Sequence, residues 1–359
     1  MANIISIGTA VPQYRHRQSD ILHFMQRAYK LDESDSRKLA FLYRQSEIED
    51  RYSVLPDFSL SQNEWAFISP DAKNRSLDCR MKLFDQYAPG LAIESIHNCI
   101  DGFIQPKQIT HLITVSCTGM SAPGLDLQIA ELLQLPADVF RTSVNFMGCY
   151  AAIHALKIAK MICDSEPKAN VVVVCTELCT LHFQQNYSLD NAASSLLFGD
   201  GSAALLVSNN IVSENALRLK SFYSEIATKG KEDMSWQLST EGFLMKLSSY
   251  IPQLIEEDIA GLVDRALQKG NNTINEISHW CIHPGGKKIV DVIQSKLGLS
   301  PDDLSTSRKV LAANGNMSSP TILFVLKEIM KPLANTKANV FGVAFGPGLT
   351  METFIAEKV

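Results

Sequence analysis

The sequence CYAAIHALKIAKMIC occupies residues 149–163, and VVVVC follows at residues 171–175. The first stretch is apolar nearly all round, which predicts a buried helix. The second is an unbroken run of valines, which is typical of a strand in a parallel sheet covered on both faces. HLITVSC at residues 111–117 is another short apolar run, and it predicts a further buried strand. These stretches therefore predict an α/β core.

The C-terminal half repeats this order of strand, helix and strand. Its corresponding stretches are HWCIH at 279–283, MSSPTILFVLKEIMK at 317–331 and VFGVAF at 340–345. One offset of 168 residues relates the two halves, and it pairs His111 with His279, Cys149 with Met317 and Val172 with Val340. Three elements at one offset predict an internal duplication, with chance similarity among apolar runs as the alternative.

No Gly/Ser-rich linker separates the two halves. The polar stretch SNNIVSENALR at 208–218 is the best candidate for a boundary. We therefore expect an N-terminal half at residues 1–210 and a C-terminal half at residues 211–359, which form one compact body with a pseudo-twofold axis. A functional site would then lie where the halves meet.

Composition excludes several classes of protein. The chain has 359 residues, of which 46% are hydrophobic and 20% charged, and these values exclude a disordered or coiled-coil protein. The net charge of −5 supplies no basic field for nucleic acid or anionic membrane. Charge-free stretches such as 338–351 are shorter than the ~18 residues that a membrane span needs. The N-terminus lacks a signal-peptide core, so we expect a cytoplasmic protein.

The cysteine pattern indicates reduced thiols and no metal site. The cysteines lie at positions 79, 99, 117, 149, 163, 175, 179 and 281, and they include no CxxC pair. No Cys/His quartet has the spacing of a zinc site. A cytosolic protein with free thiols is the natural interpretation.

Cys149 is the candidate nucleophile. Gly148 precedes it and the predicted helix follows, which places the thiol near a helix N-terminus. Unpaired N–H groups and the helix dipole there favour a thiolate, and a thiolate is the reactive form of a sulfur nucleophile. From position alone, an ordinary buried cysteine remains the alternative.

His283 and Asn316 are candidate partners of Cys149. His283 ends a predicted strand before the turn Pro284-Gly285-Gly286, so it can project into a cleft. Asn316 lies in an Asn-Gly-Asn turn just before the second apolar helix, and the duplication would bring this turn and Cys149 toward one cleft. A structural histidine and a simple turn with a helix cap are the alternatives.

Five ordered motifs carry a resemblance to a known family. They are MGCYAA at 147–152, LFGDGSAA at 197–204, IHPGGKKIVD at 282–291, NGNMSSPTILFVL at 314–326 and FGPGLTMET at 345–353. Over nearly its whole length the chain resembles the type III polyketide synthases, the family of chalcone and stilbene synthases among the thiolase-like condensing enzymes. The resemblance implies a duplicated thiolase-like α/β fold with five layers, α-β-α-β-α, a homodimer, and coenzyme A thioesters as substrates without a cofactor.

The resemblance also implies roles for single residues. Cys149 would accept a starter acyl group from an acyl-CoA, and His283 would stabilise its thiolate. His283 and Asn316 would bind the thioester carbonyl of malonyl-CoA during decarboxylation. Phe198 matches a gatekeeper between the coenzyme A tunnel and the pocket. The other implied positions are Thr118, Thr180 and Ser318 on the pocket wall, Gly346, Pro347 and Gly348 in a glycine-rich loop, and Lys38, Arg44, Gly286, Lys287 and Lys288 near coenzyme A.

For Lys38 and Arg44, a solvated helix face is an equal alternative to coenzyme A binding. Three further positions depart from the family pattern. Met245 stands where the family has a second gatekeeper phenylalanine, Trp236 where chalcone-type enzymes have a glycine, and Ala122 where a methionine often crosses the dimer interface. These departures, counted without gaps, argue against a chalcone-type pocket and leave the starter and the cyclisation mode open. We expect an aliphatic acyl-CoA starter and an alkylpyrone or alkylresorcinol-like product. A ketoacyl synthase III or a hydroxymethylglutaryl-CoA synthase-like enzyme is the alternative function.

Overall fold

The structure, a computed structural model, describes residues 1–68, 75–231, 233–248, 250–331, 333 and 337–359. The strands are β1 (Asn3–Ala10), β2 (Tyr14–Arg17), β3 (Asp50–Ser53), β4 (His111–Ser116), β5 (Phe140–Asn145), β6 (Asn170–Leu178), β7 (Asp200–Ser208), β8 (Leu217–Ile226), β9 (Met234–Ser239), β10 (Gly242–Leu247), β11 (His279–Ile282), β12 (Asn339–Gly346) and β13 (Thr350–Lys358).

The α-helices are α1 (Gln18–Ala28), α2 (Glu33–Arg44), α3 (Leu77–Ile100), α4 (Leu125–Leu132), α5 (Ala151–Ser165), α6 (Leu189–Leu197), α7 (Ile251–Lys269), α8 (Lys287–Leu297), α9 (Ser305–Asn314) and α10 (Pro320–Met330). Short 3₁₀ turns connect several of them. The two apolar helices predicted from the sequence correspond to α5 and α10.

One mixed sheet runs through the molecule in the order β11-β12-β13-β8-β1-β7-β6-β4-β5. The predicted strands at 111–117 and 171–175 are β4 and β6, which pair in parallel, and β11 pairs in parallel with β12. The two halves of the sheet join where β1 pairs with β8 through Asn3 and Ile4.

The side chains of the sheet divide among three apolar clusters, and this division produces layers. Val171 and Val173 of β6 face a central cluster that contains α5 and α10, whereas Val172 and Val174 face an outer cluster with α1, α3 and α4. In the other half, Phe341 of β12 faces a second outer cluster with α7 and α8. This alternation explains why β6 is apolar on both faces. The thiolase-like α/β fold class is confirmed.

The duplication has a register that differs by one residue from the sequence-based pairing. In the N-terminal half His111 pairs with Val171, and in the C-terminal half His279 pairs with Val340. Val340 therefore corresponds to Val171 and not to Val172, so the pairing expected from a constant offset was wrong at this strand. The C-terminal half has one additional residue between its two strands.

Both central helices begin later than their apolar runs suggest, because a residue before each helix has a positive φ. Gly148 has a φ of 80° and Ser318 a φ of 62°, values outside the right-handed helical region. Cys149 and Asn316 consequently lie in turns that precede α5 and α10. These turns expose functional groups that a continuous helix would direct elsewhere.

Two absences hold for the residues that the structure describes. None of their helices is both long and apolar enough to cross a membrane. Nowhere in the same ranges do three His, Cys, Asp or Glu side chains come together in a way that could hold a metal ion.

Candidate active site

A cavity of about 660 Å³ lies between the two halves of the molecule. Cys149, His283 and Asn316 all line it, although they come from different parts of the chain. Cys149 precedes α5, His283 follows β11, and Asn316 lies between α9 and α10. The fold therefore brings together the three residues that the sequence singled out.

The turn that holds Cys149 depends on Gly148. A Cβ atom on Gly148 would lie 2.2 Å from Cδ of Pro347, so a larger residue would displace the loop after β12. The amide of Gly148 donates a hydrogen bond to the thiol of Cys117 at 3.0 Å. Glycine is thus required both by the positive φ and by the close approach of Pro347.

Cys149 carries a neutral thiol in this environment. Burial raises its pKa to about 11, and the side chains of Ser318 and Asn316 oppose part of that rise. The thiol donates to Oγ of Ser318 at 3.6 Å. The low pKa expected from the helix N-terminus is therefore not what this cavity produces, because desolvation of the thiolate outweighs the local dipoles.

His283 is buried, with 2% of its surface exposed, and neither ring nitrogen has a hydrogen-bond partner among the described residues. Its amide donates to the carbonyl of Val343 at 2.9 Å, which fixes the backbone at the end of β11. Burial lowers the pKa of the imidazole to about 3. A buried imidazole with two free nitrogens on a cavity wall is available to a ligand.

The hydrogen bonds of Asn316 orient its amide group. Its Oδ1 accepts from the amide of Ser318 at 2.8 Å, and its Nδ2 donates to the carbonyl of Gly285 at 3.2 Å. A side-chain amide carries two N–H groups. One N–H of Asn316 therefore remains for the cavity.

Trp236 and Met245 line the same cavity, as the gap-free count predicts. The two residues are directly opposite each other on the paired strands of the β9–β10 hairpin. The indole of Trp236 donates to the carbonyl of Cys117 at 2.6 Å, and its ring packs edge-on against His182 and Phe243. The tryptophan is consequently held as a fixed part of the wall.

Phe198, Thr118, Thr180 and Ser318 also line the cavity. The hydroxyl of Thr180 donates to Asp200 at 2.6 Å, and burial raises the pKa of that carboxyl to about 6. The hydroxyl of Thr118 likewise donates to a buried carboxyl group. Both threonines are therefore held in place by such groups.

The carboxyl group that accepts from Thr118 belongs to Glu177, which the sequence analysis missed. Its carboxylate accepts from the amide of Cys117 at 2.9 Å and from the hydroxyls of Thr118 and Ser319, each at 2.8 Å. Burial raises the pKa of Glu177 to about 7. A charged residue at the end of an otherwise apolar strand is the signal that identifies it.

His182 is a second missed residue. Its Nε2 donates to the carbonyl of Thr118 at 2.7 Å, and its Nδ1 accepts from the amide of Phe243 at 3.1 Å. This pair of bonds requires the neutral form, and burial lowers its pKa to about 3. Cys117 and Cys179 also line the cavity, which the sequence analysis did not predict.

The remaining expected residues fall into two groups. Pro347, Gly286, Lys287 and Lys288 line the cavity, and Lys287 forms ion pairs with Glu47 at 3.1 Å and Asp291 at 2.8 Å. Gly346 and Gly348 flank Pro347 in the loop after β12, and Tyr150 packs beside Gly346.

Lys38 and Arg44 lie on α2, apart from the cavity wall. Lys38 is an exposed residue that pairs with Asp35 at 2.9 Å. Arg44 borders a separate cleft, together with Glu47 and Arg308. The structure does not bring these two side chains to the candidate active site.

Comparison with known proteins decides the family. The description "Chalcone and stilbene synthases, N-terminal domain" matches residues 1–210, and "Chalcone and stilbene synthases, C-terminal domain" matches residues 218–359. The chain belongs to the chalcone and stilbene synthase family.

Two solved structures of type III polyketide synthases extend this assignment. PKS-I from the brown alga Ectocarpus siliculosus is 27% identical, with a TM-score of 0.89 over 99% of this chain and 98% of that chain. The C-terminal type III polyketide synthase domain of Steely1, a type I/III hybrid from Dictyostelium, is 26% identical, with a TM-score of 0.89 over 100% and 99%. This chalcone and stilbene synthase family member therefore has the type III polyketide synthase fold over its whole described length.

Proposed function

We propose that this family member is an acyltransferase that loads an acyl group from coenzyme A onto Cys149 and extends it with malonyl-CoA. The observation that carries the proposal is the convergence of Cys149, His283 and Asn316 on one cavity, where both nitrogens of His283 are unpartnered within the described chain. A sulfur nucleophile, a base and an amide donor are the groups that the reaction needs.

Loading begins with proton transfer from the Cys149 thiol to His283. Burial opposes an isolated thiolate and an isolated imidazolium. Transfer between them creates both charges together and leaves the net charge of the cavity unchanged, so each stabilises the other. The thiolate then attacks the starter thioester, the C–S bond to coenzyme A breaks, and the leaving thiolate takes the proton from His283.

Extension uses the donors on the other side of the cavity. Malonyl-CoA loses CO₂, and the electron pair of the broken C–C bond forms an enolate at the thioester. Asn316 Nδ2 and the protonated nitrogen of His283 donate to the enolate oxygen, where negative charge develops. The enolate carbon attacks the acyl-Cys149 carbonyl and releases the Cys149 thiolate, which extends the chain by two carbons.

The walls of the cavity support an aliphatic starter. Ile21, Met25 and Phe183 line it from the N-terminal outer cluster, whereas Met234 and Ile251 line it from the C-terminal outer cluster. The cavity thus extends from one apolar core to the other. Apolar walls bind an alkyl chain through the hydrophobic effect. We infer an alkylpyrone or alkylresorcinol-like product, formed by cyclisation after few extensions.

The assembly and location of the protein belong to the same proposal. We infer a cytoplasmic homodimer that needs no metal or cofactor and binds no nucleic acid. Strand β5 supports the dimer because it ends the sheet and carries Phe140, which is 69% exposed. An uncovered edge strand is a site for pairing with a second chain.

The decisive experiment incubates the purified protein with labelled malonyl-CoA and a panel of acyl-CoA starters, followed by mass spectrometry. We expect pyrone or resorcinol products that grow by two carbons per malonyl unit. A ketoacyl synthase III would instead require an acyl carrier protein, and a hydroxymethylglutaryl-CoA synthase would consume acetoacetyl-CoA. Product formation only with those substrates would contradict the proposal.

A further inference from the structure

The backbone around Asn316 is held by the segment that carries Phe198. The amide of Asn316 donates to the carbonyl of Leu197 at 2.9 Å, and the amide of Gly199 donates to the carbonyl of Asn316 at 3.0 Å. Phe198 and Asn316 consequently form a parallel bridge between the two halves of the molecule. Any shift of residues 197–199 would move Asn316 with them.

Arg51 of β3 holds this bridge and also lines the cavity. Its Nη1 donates to the carbonyl of Phe198 at 2.6 Å, and its Nε donates to Oε1 of Gln18 at 2.9 Å. Gln18 in turn donates through Nε2 to the carbonyl of Leu196 at 2.9 Å. The two side chains therefore bind alternate carbonyls on the segment that pairs with Asn316.

The stem of Arg51 fills the space beside the same turn. A Cβ atom on Gly315 would lie 2.8 Å from Cδ and Cγ of Arg51. Gly315 also has a φ of 66°, which favours glycine. The Asn-Gly-Asn turn thus packs directly against the side chain of Arg51. The position of Asn316 therefore depends on Arg51 in two ways, through this packing and through the hydrogen bond to Phe198.

The burial of the Arg51 guanidinium is unusual for a residue with only a structural role. It is 4% exposed, none of the described carboxylates lies within ion-pair distance, and its Nη2 is unpartnered among the described residues. Burial disfavours the charge of Arg51, and the side chains of Tyr43 and Asp200 oppose part of that effect. Burial of a cation without a contacting anion is costly, which implies a compensating role.

We propose that Arg51 is a positioning residue for malonyl-CoA decarboxylation, which acts through the Phe198–Asn316 bridge and is assisted by Gln18. This inference rests on the proposed function, because it assigns Arg51 to one step of that reaction. Among the described residues the hydrogen bonds of Arg51 go to Gln18 and Phe198, and none goes to Cys149 or His283. Its loss should therefore slow decarboxylation much more than the loading of Cys149.

The test compares Arg51→Met and Arg51→Lys with Arg15→Met. Arg15 lies on β2, the strand that pairs with β3, and is an exposed partner of Asp50, so its substitution controls for a change in this two-stranded sheet alone. We expect Arg51→Met to lower kcat for decarboxylation roughly 10- to 100-fold, since small misplacements of a reacting group have effects of that size. KM for malonyl-CoA and the rate of acyl-enzyme formation should change less than about threefold.

Arg51→Lys should recover part of kcat, because lysine keeps the charge and one donor but loses the planar fork. If Arg51→Met does not fold, Gln18→Met tests the same pair of carbonyl contacts and should lower kcat in the same selective way. Equal losses in loading and decarboxylation, or no loss in a folded variant, would overturn the inference.

Hydrogen exchange separates this inference from the proposed function. Peptides that contain the amides of Gly199 and Asn316 should exchange at least about tenfold faster in Arg51→Met than in the wild type, whereas peptides from β6 should not change. This readout needs no activity. A wild type without decarboxylation would refute the proposed function, and unchanged exchange at Gly199 and Asn316 would refute the role of Arg51.

Discussion

The thiol of Cys149 lies 3.6 Å from the hydroxyl of Ser318, across the boundary between the two halves of the chain. Each residue precedes a central helix, α5 in one half and α10 in the other. The pseudo-twofold relationship of these helices places the two turns side by side. One turn carries the candidate nucleophile, and the other carries hydrogen-bonding groups beside it, so the duplicated fold yields one asymmetric site.

Cys149→Ala should abolish acyl-enzyme formation and condensation while it leaves the fold intact, because the Cys149 thiol lies on the cavity beside Ser318 and Asn316. Intact-mass spectrometry after mixing with an acyl-CoA measures the loading. Cys79→Ala is the matched control, since Cys79 lies on α3, away from the cavity wall. Normal product from the Cys149 variant would exclude it as the nucleophile.

Asn316→Ala should lower malonyl-CoA decarboxylation about 10²- to 10³-fold, the usual effect of losing one oxyanion donor. Loading should change much less, because Asn316 acts on the enolate. The two rates are measured separately, by CO₂ release and by acyl-enzyme mass. An equal loss in both rates would contradict this role.

His283→Ala should damage both steps, since His283 takes the thiol proton during loading and donates to the enolate during extension. The imidazole is buried and has no hydrogen-bond partner among the residues that the structure describes, so both nitrogens are free for these contacts. His279→Ala is the control, because His279 begins the strand that His283 follows. Loading at the wild-type rate in the His283 variant would show that another base activates Cys149.

Trp236→Gly should lengthen the products or admit larger starters, because removal of the indole enlarges the cavity opposite Met245. It also removes the hydrogen bond to Cys117. Product profiles across a starter panel check this prediction, with Leu238→Gly, an exposed position on the same strand, as the control. A profile identical to the wild type would show that Trp236 does not bound the growing chain.

Glu177 should make stability depend on pH. Burial raises its pKa to about 7 from a usual value of 4.5, so folding favours the protonated carboxyl. Its contribution is fully present below pH 4.5 and is lost as pH rises through about 7. Relative to Glu177→Gln, the wild type should have a higher free energy of unfolding at pH 5 than at pH 8. Urea unfolding at both values measures the difference, and parallel curves would contradict the prediction.

The protein should be a homodimer with one active site per chain. Phe140→Lys places a charge on the exposed edge strand β5 and should weaken dimer formation, and Phe103→Lys, at another exposed aromatic position, is the control. Light scattering at low concentration measures the mass. A stable, active wild-type monomer would refute the prediction.

The sequence by itself determined the central elements and singled out the three residues that line the cavity together. The valine run of β6 and the apolar run of α5 are specified locally, because both faces of each element must be buried. The family resemblance, with a gap-free count, also placed Met245 and Trp236 on the cavity, and the two residues pair directly in the β9–β10 hairpin.

Only the tertiary structure decided the electrostatic state of the site and its supporting contacts. The sequence predicted an activated Cys149, but burial in the cavity raises its pKa, and burial is a property of residues from both halves. Lys38 matched a coenzyme A contact by position and stays a prediction, and the structure places it on α2 in an ion pair with Asp35. Glu177, His182 and Arg51 were missed because their partners lie tens of residues away in sequence. Desolvation and hydrogen bonding depend on distances in space, and a local pattern of residues does not contain those distances.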